Sequence, residues 1–147
     1  MTSRLEVSRV IEKPAEDIFA FINIPENHTK FVPGMLEFRK TSSGPFGQVG
    51  ATVRGVRRVL GQRVELPYEI IEFEQNKKLG MKGLMGPIAF RDGYVLEPMG
   101  SKTRITFWLE FLLNGVMNLA KPILVPWGRL HGVETIVNLK NRLEREG

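Results

Sequence analysis

The chain has 147 residues, 42% hydrophobic and 25% charged, which fits one globular domain able to bury a core without a covalent staple. It contains no cysteine, which excludes disulfides, thiolate nucleophiles and cysteine metal sites together and fits a reducing compartment. The net charge of +5, from 21 basic and 16 acidic residues, is a mild excess that a solvated surface explains.

Residues 4–13 alternate, with Leu5, Val7, Arg9 and Ile11 on one face, and predict a first strand. This polar alternation does not read as a signal peptide. Pro14 suits the first position of a helix, and Glu16 and Asp17 follow in the turn where the helix dipole favours acids. Ile18, Phe19, Phe21 and Ile22 then recur at helical spacing. A second short helix is expected over 26–31, closed by Pro33-Gly34.

Strands are predicted next over 36–41, 51–60, 64–73, 78–84, 88–97 and 103–113, separated by short turns, as in an antiparallel meander. In the fourth strand Val64, Leu66, Tyr68 and Ile70 share a face. The phase then changes at Ile71 and Phe73, which predicts a bulge near Ile70-Ile71. Pro67 argues for an irregularity or an edge in that strand.

The last third, 116–146, reads as one long amphipathic helix. Gly132, Ile136, Leu139 and Leu143 form its apolar stripe, and Pro122 and Pro126 predict a kink or break in its first half. A lone helix with such a stripe must pack on the sheet, and a sheet curved around it encloses a cavity.

Four segments carry a resemblance to a known family. Ile11-Glu12-Lys13-Pro14-Ala15-Glu16-Asp17-Ile18-Phe19 resembles its strand-to-helix junction, and Ile24-Pro25-Glu26-Asn27-His28 the start of its second helix. Gly47-Gln48-Val49-Gly50-Ala51-Thr52-Val53-Arg54 is similar to its third strand, and Asn138-Leu139-Lys140-Asn141-Arg142-Leu143-Glu144 to its closing helix. Their order and spacing resemble the polyketide cyclase/dehydrase-like branch of the START-related superfamily along nearly the whole chain. The resemblance implies an α+β helix-grip fold, with a seven-stranded antiparallel sheet wrapped around the C-terminal helix over an apolar cavity. Members of that superfamily include aromatic cyclases, lipid and quinone carriers and hormone receptors, so fold is implied far more narrowly than function.

No constellation for metal or nucleophilic chemistry stands out. His28 and His131 are the only histidines, too few for a zinc site, and no cofactor motif or strained serine turn is present. What remains is the lining of the expected cavity. Tyr68, Phe90, Tyr94, Phe107, Leu109, Met117, Leu124, Trp127 and His131 are the candidate ligand-lining residues, and an inward Arg57 would bind a carboxylate. Asp92, Tyr94 and His131 are the candidate acids or bases. The Asp92-Gly93 pair, however, is a turn signal that favours a solvated carboxylate. Trp108 falls on the outward face of its strand and would mark a packing or homodimer surface. The segment 117–127 is apolar almost all round and is expected either to gate the cavity or to pack on the sheet edge.

The expectation is therefore a soluble cytoplasmic protein without a membrane span. It binds a hydrophobic small molecule such as a lipid, quinone or polyketide-like aromatic, as carrier or sensor. The alternatives are a cyclase or dehydrase using the cavity acids and bases, and a basic module docking on RNA or an acidic partner. Nucleic acid is disfavoured because Arg54, Arg57, Arg58, Arg63, Lys77, Lys78 and Lys82 lack interleaved aromatics.

Overall fold

A computed structural model describes residues 4–145. Strand β1 (Arg4–Ile11) leads into helix α1 (Ala15–Ile22) and a 3-10 helix (Pro25–Lys30). Strands β2 (Met35–Lys40), β3 (Thr52–Val59), β4 (Gln62–Glu74), β5 (Lys78–Met85), β6 (Ile88–Met99) and β7 (Lys102–Leu112) follow. A second 3-10 helix (Gly115–Ala120) precedes helix α2 (Lys121–Arg145). The last predicted helical residue, Glu146, lies outside the described residues.

The seven strands form one antiparallel sheet in the order β1-β7-β6-β5-β4-β3-β2. The meander from β2 to β7 follows from short turns. In one of them Leu60 and Gly61 both take positive φ, 50° and 81°, the mirror-image turn that matches strand twist. The β4–β5 register shifts between Ile70 and Glu72, where the phase change in the sequence lies. A second shift, between Met35 and Glu37 in β2, was not visible in the sequence.

Helix α2 lies on the concave face, against β1 and β7. Ile136 and Leu139 are fully buried, together with Ile11, Ile18, Phe19, Ile22, Ile70, Leu79 and Ile105. Gly128 lets the helix approach closely, since a Cβ there would lie 2.9 Å from Leu5 and 3.0 Å from Leu109. Polar ties fix the second half of the helix. Asn138 Nδ2 donates to the Phe31 carbonyl at 3.1 Å, and Lys140 Nζ to the Val10 carbonyl at 2.7 Å.

The predicted helix over 116–146 is two pieces. The break falls at Ala120-Lys121, which puts Pro122 at the start of α2 where its missing N–H costs little, while Pro126 sits within the helix. No helix among the described residues is long and apolar enough to cross a membrane.

Trp108 corrects an expectation. It faces the convex side, yet it is only 3% exposed. Its strand neighbour is Gly93, which pairs with Gly80, so the indole lies across two residues without side chains. The Arg4 guanidinium covers it at 4.2 Å from the ring centroid. The exposed tryptophan read from strand alternation is thus an intramolecular packing residue.

Candidate functional site

A cavity lies between α2 and the sheet. Tyr68 on β4, Met81 on β5, Phe90, Asp92 and Tyr94 on β6, and Phe107 and Leu109 on β7 all reach it, because alternate residues of a strand share a face. Arg57 comes from β3, and Trp127 and His131 from α2. Its volume is about 30 Å3, close to that of one water site.

Of the residues singled out in the sequence, nine converge here: Arg57, Tyr68, Phe90, Asp92, Tyr94, Phe107, Leu109, Trp127 and His131. Met117 and Leu124 do not line the cavity. Met117 precedes the break and is half-buried, and Leu124 points at the sheet. Only one face of α2 can meet the cavity, and Trp127 and His131 occupy it. The rest of the apolar segment is outside, with Val116, Leu119 and Ile123 each at least 75% exposed.

Asp92 is a second correction. Arg91-Asp92-Gly93 is not a turn but the middle of β6, paired on both sides. The Asp92 carboxylate faces the cavity, with Oδ1 shut off from solvent and without a protein partner. Burial raises its pKa to about 7, against the opposing pull of the Arg57 charge.

Arg57 is 7% exposed. Its Nη2 donates to the Pro33 carbonyl at 2.8 Å and approaches His131 Nδ1 at 3.5 Å, and its guanidinium lies over the Trp127 ring at 5.4 Å. Its Nε has no protein partner, and burial lowers its pKa. His131 stacks on Trp127 with centroids 5.2 Å apart. Burial, then the Arg57 charge, drives its pKa to about 3, so the imidazole is neutral near pH 7 and accepts at Nδ1. Tyr68 and Tyr94 are both raised, first by burial and then by the charge on Asp92. The arrangement is an apolar enclosure with one cation, one adjustable carboxyl and two neutral phenols.

Sequence reading missed His28, Met35 and Phe38, which also line the cavity. His28 is fully enclosed, lowered by burial to about 4, donates from Nε2 to the Ile22 carbonyl at 2.7 Å and stacks on Phe38 at 4.5 Å. It sits in a 3-10 helix that has no apolar period to flag it. Met35 and Phe38 face the same way three residues apart because the β2 bulge intervenes, which breaks the alternation that would have paired them.

The basic hairpins carry their own counterions. Arg54 contacts Glu37 and Glu65, Arg63 meets Glu37 at 3.2 Å, Lys78 lies 3.7 Å from Glu72, and Lys82 lies 3.7 Å from Glu69. Among the described residues no group of three or more His, Asp or Glu is placed to hold a metal ion.

A family model described as polyketide cyclase/dehydrase and lipid transport matches residues 2–144. The chain belongs to this family. No curated protein matches it in sequence. Solved structures match its fold. The Zhui aromatase/cyclase from Streptomyces sp. R1128 superposes with a TM-score of 0.83 at 11% identity, over 99% of this chain and 95% of that one. TTHA0849 from Thermus thermophilus gives 0.79 at 15% identity, covering 99% of each chain. The ginseng major latex-like protein 151 from Panax ginseng gives 0.73 at 14%, over 99% of this chain and 97% of that one. At such identities the polyketide cyclase-like family member shares a helix-grip fold with them, and its cavity chemistry is its own.

Proposed function

We propose that this protein is a carrier or sensor of a hydrophobic small molecule, a lipid, quinone or polyketide-like aromatic, held in the cavity between α2 and the sheet. The observation that carries this reading is a pair of unsatisfied polar atoms in an apolar enclosure, Arg57 Nε and Asp92 Oδ1. Orphaned buried polar groups are costly, and a ligand whose polar atoms partner them relieves that cost. Three methionines, Met35, Met81 and Met85, line the wall and can repack around a guest. The family description, which includes lipid transport, supports the same reading.

The test is native mass spectrometry of protein isolated from its own host. An apolar molecule should co-purify, and Arg57→Met should lose at least tenfold in affinity for it, since a charge-assisted contact is worth about 1.5–3 kcal/mol. A protein that co-purifies with no such molecule and binds none added back is not a carrier.

One observation favours a second reading. A carboxyl with a pKa near 7 inside an apolar pocket is poised as a general acid or base, which a cyclase or dehydrase acting on a reactive ketone chain requires. Tyr94 and His131 are the other candidates for that role. Under this reading Asp92→Asn abolishes turnover while binding persists. Loss of both together points to a binding role alone.

A further inference from the structure

The inner cavity is small for the ligand class proposed. At about 30 Å3 it admits a water-sized group, whereas sites for organic ligands span roughly 300–1,000 Å3. A larger space of about 680 Å3 lies against the sheet between β4 and β5, and Leu66, Tyr68 and Phe90 line both spaces.

The backbone explains why the sheet opens there. β4 pairs with β3 from Gln62 onward, but with β5 only from the couple Tyr68 and Gly83. β5 continues beside β6 to Met85, so β4 and β5 part company. Ile70 exchanges its backbone hydrogen bonds with Gly50 and Ala51, on the β3 side, at 2.9 Å each. Peptide groups alternate sides along a strand, so Tyr68 and Leu66 also address β3, and Pro67 addresses β5. Proline has no N–H to give, and pairing stops at that residue.

Two rings form the partition behind the split. Tyr68 and Phe90 meet edge to face with centroids 5.7 Å apart. The Tyr68 ring lies over Gly55 and Gly83, where a Cβ would come within 2.7 and 3.1 Å of it, so no side chain stands beneath it. On the outer side Arg54 is paired with Glu37 and Glu65, and Lys82 with Glu69. Pro67, Leu84, Ala89 and Leu112 give the floor an apolar stretch, beside the hydroxyls of Thr41 and Thr52, which bond to each other at 2.8 Å.

We propose that the ligand is an elongated amphiphile whose polar end sits at Arg57 and Asp92 and whose chain passes the Tyr68–Phe90 pair, through the β4–β5 split, into the outer groove. This rests on the reading that the cavity binds an apolar molecule. The probes are octanoate, dodecanoate and hexadecanoate, titrated calorimetrically into the full chain. Wild-type affinity should rise roughly fourfold per added methylene, the transfer value for a buried CH2. Leu84→Trp, at a position 47% exposed on the groove floor, should flatten that rise and weaken hexadecanoate most. Pro67→Val, which supplies an N–H toward β5 and closes the split, should flatten it as well. Arg57→Met should weaken all three probes by the same factor. Should the rise survive both groove variants while Arg57→Met still weakens every probe, the ligand lies wholly inside, and the extended site falls while the cavity reading stands. A wild-type protein that binds none of the three carboxylates overturns the extended site, whatever molecule co-purifies with it.

Discussion

Asp92 is one of three buried groups that tie the fold to pH. Its carboxyl goes from 3.8 unfolded to about 7 folded, so between these values the folded protein holds a proton that the unfolded chain has released. That contribution to stability is whole below about pH 4 and is lost as pH rises to about 7. His28 and His131, lowered to about 4 and about 3, act in the opposite direction, and their contribution is lost as pH falls below 6.5. Asp92→Asn should therefore gain over the wild type as pH rises from 4 to 7, by about 4 kcal/mol in all, read from denaturant unfolding at stepped pH. A difference that stays flat with pH means the carboxylate is solvated. The sequence showed that Asp92 and Tyr94 share a strand face, but the turn signal of Asp92-Gly93 argued against burial. The glycine instead admits the β5 backbone and the Trp108 indole, since an added Cβ there would come within 2.4 Å of the Leu79 carbonyl oxygen and 3.0 Å of the ring. No local pattern encodes that cross-strand need.

Elements were legible where one period persisted. The six strands from β2 to β7 lie within two residues of their predicted limits, and the β4 bulge stands where Ile71 and Phe73 change phase. The closing helix was legible in its second half, where Gly132, Ile136, Leu139 and Leu143 keep a helical spacing. Its first half was not, because a segment apolar on every side has no phase to read. Only the structure separates the buried Leu124 and His131 from the exposed Ile123 and Leu130. Two predictions belong to this scale. Ile136→Ala, at a fully buried position, should cost about 2–5 kcal/mol in denaturant unfolding, because the helix cannot close the hole without leaving β1 and β7. Leu60→Asn in the β3–β4 turn should raise stability by about 0.5–1 kcal/mol, since Leu60 holds φ 50° while 98% exposed and packs on nothing.

Across the whole molecule, one sheet serves two opposed purposes. Its β1–β7 side is sealed, with α2 below and Trp108 above, while its β4–β5 side is unzipped at Pro67. Rigidity and adaptability are thus assigned to different ends of the same surface, with the polar cluster between them. A bound guest should raise the thermal midpoint with concentration, as any ligand specific to the folded state does, and differential scanning calorimetry reads this directly. The placement of the two tryptophans has an optical consequence. Trp108 is clamped beneath Arg4 and over glycine, on the face of the sheet turned away from the cavity, whereas Trp127 is stacked on His131 in the cavity wall. Emission from the native chain therefore mixes an indicator of folding with an indicator of occupancy. Trp108→Phe would leave a single fluorophore whose colour and lifetime report on the guest alone.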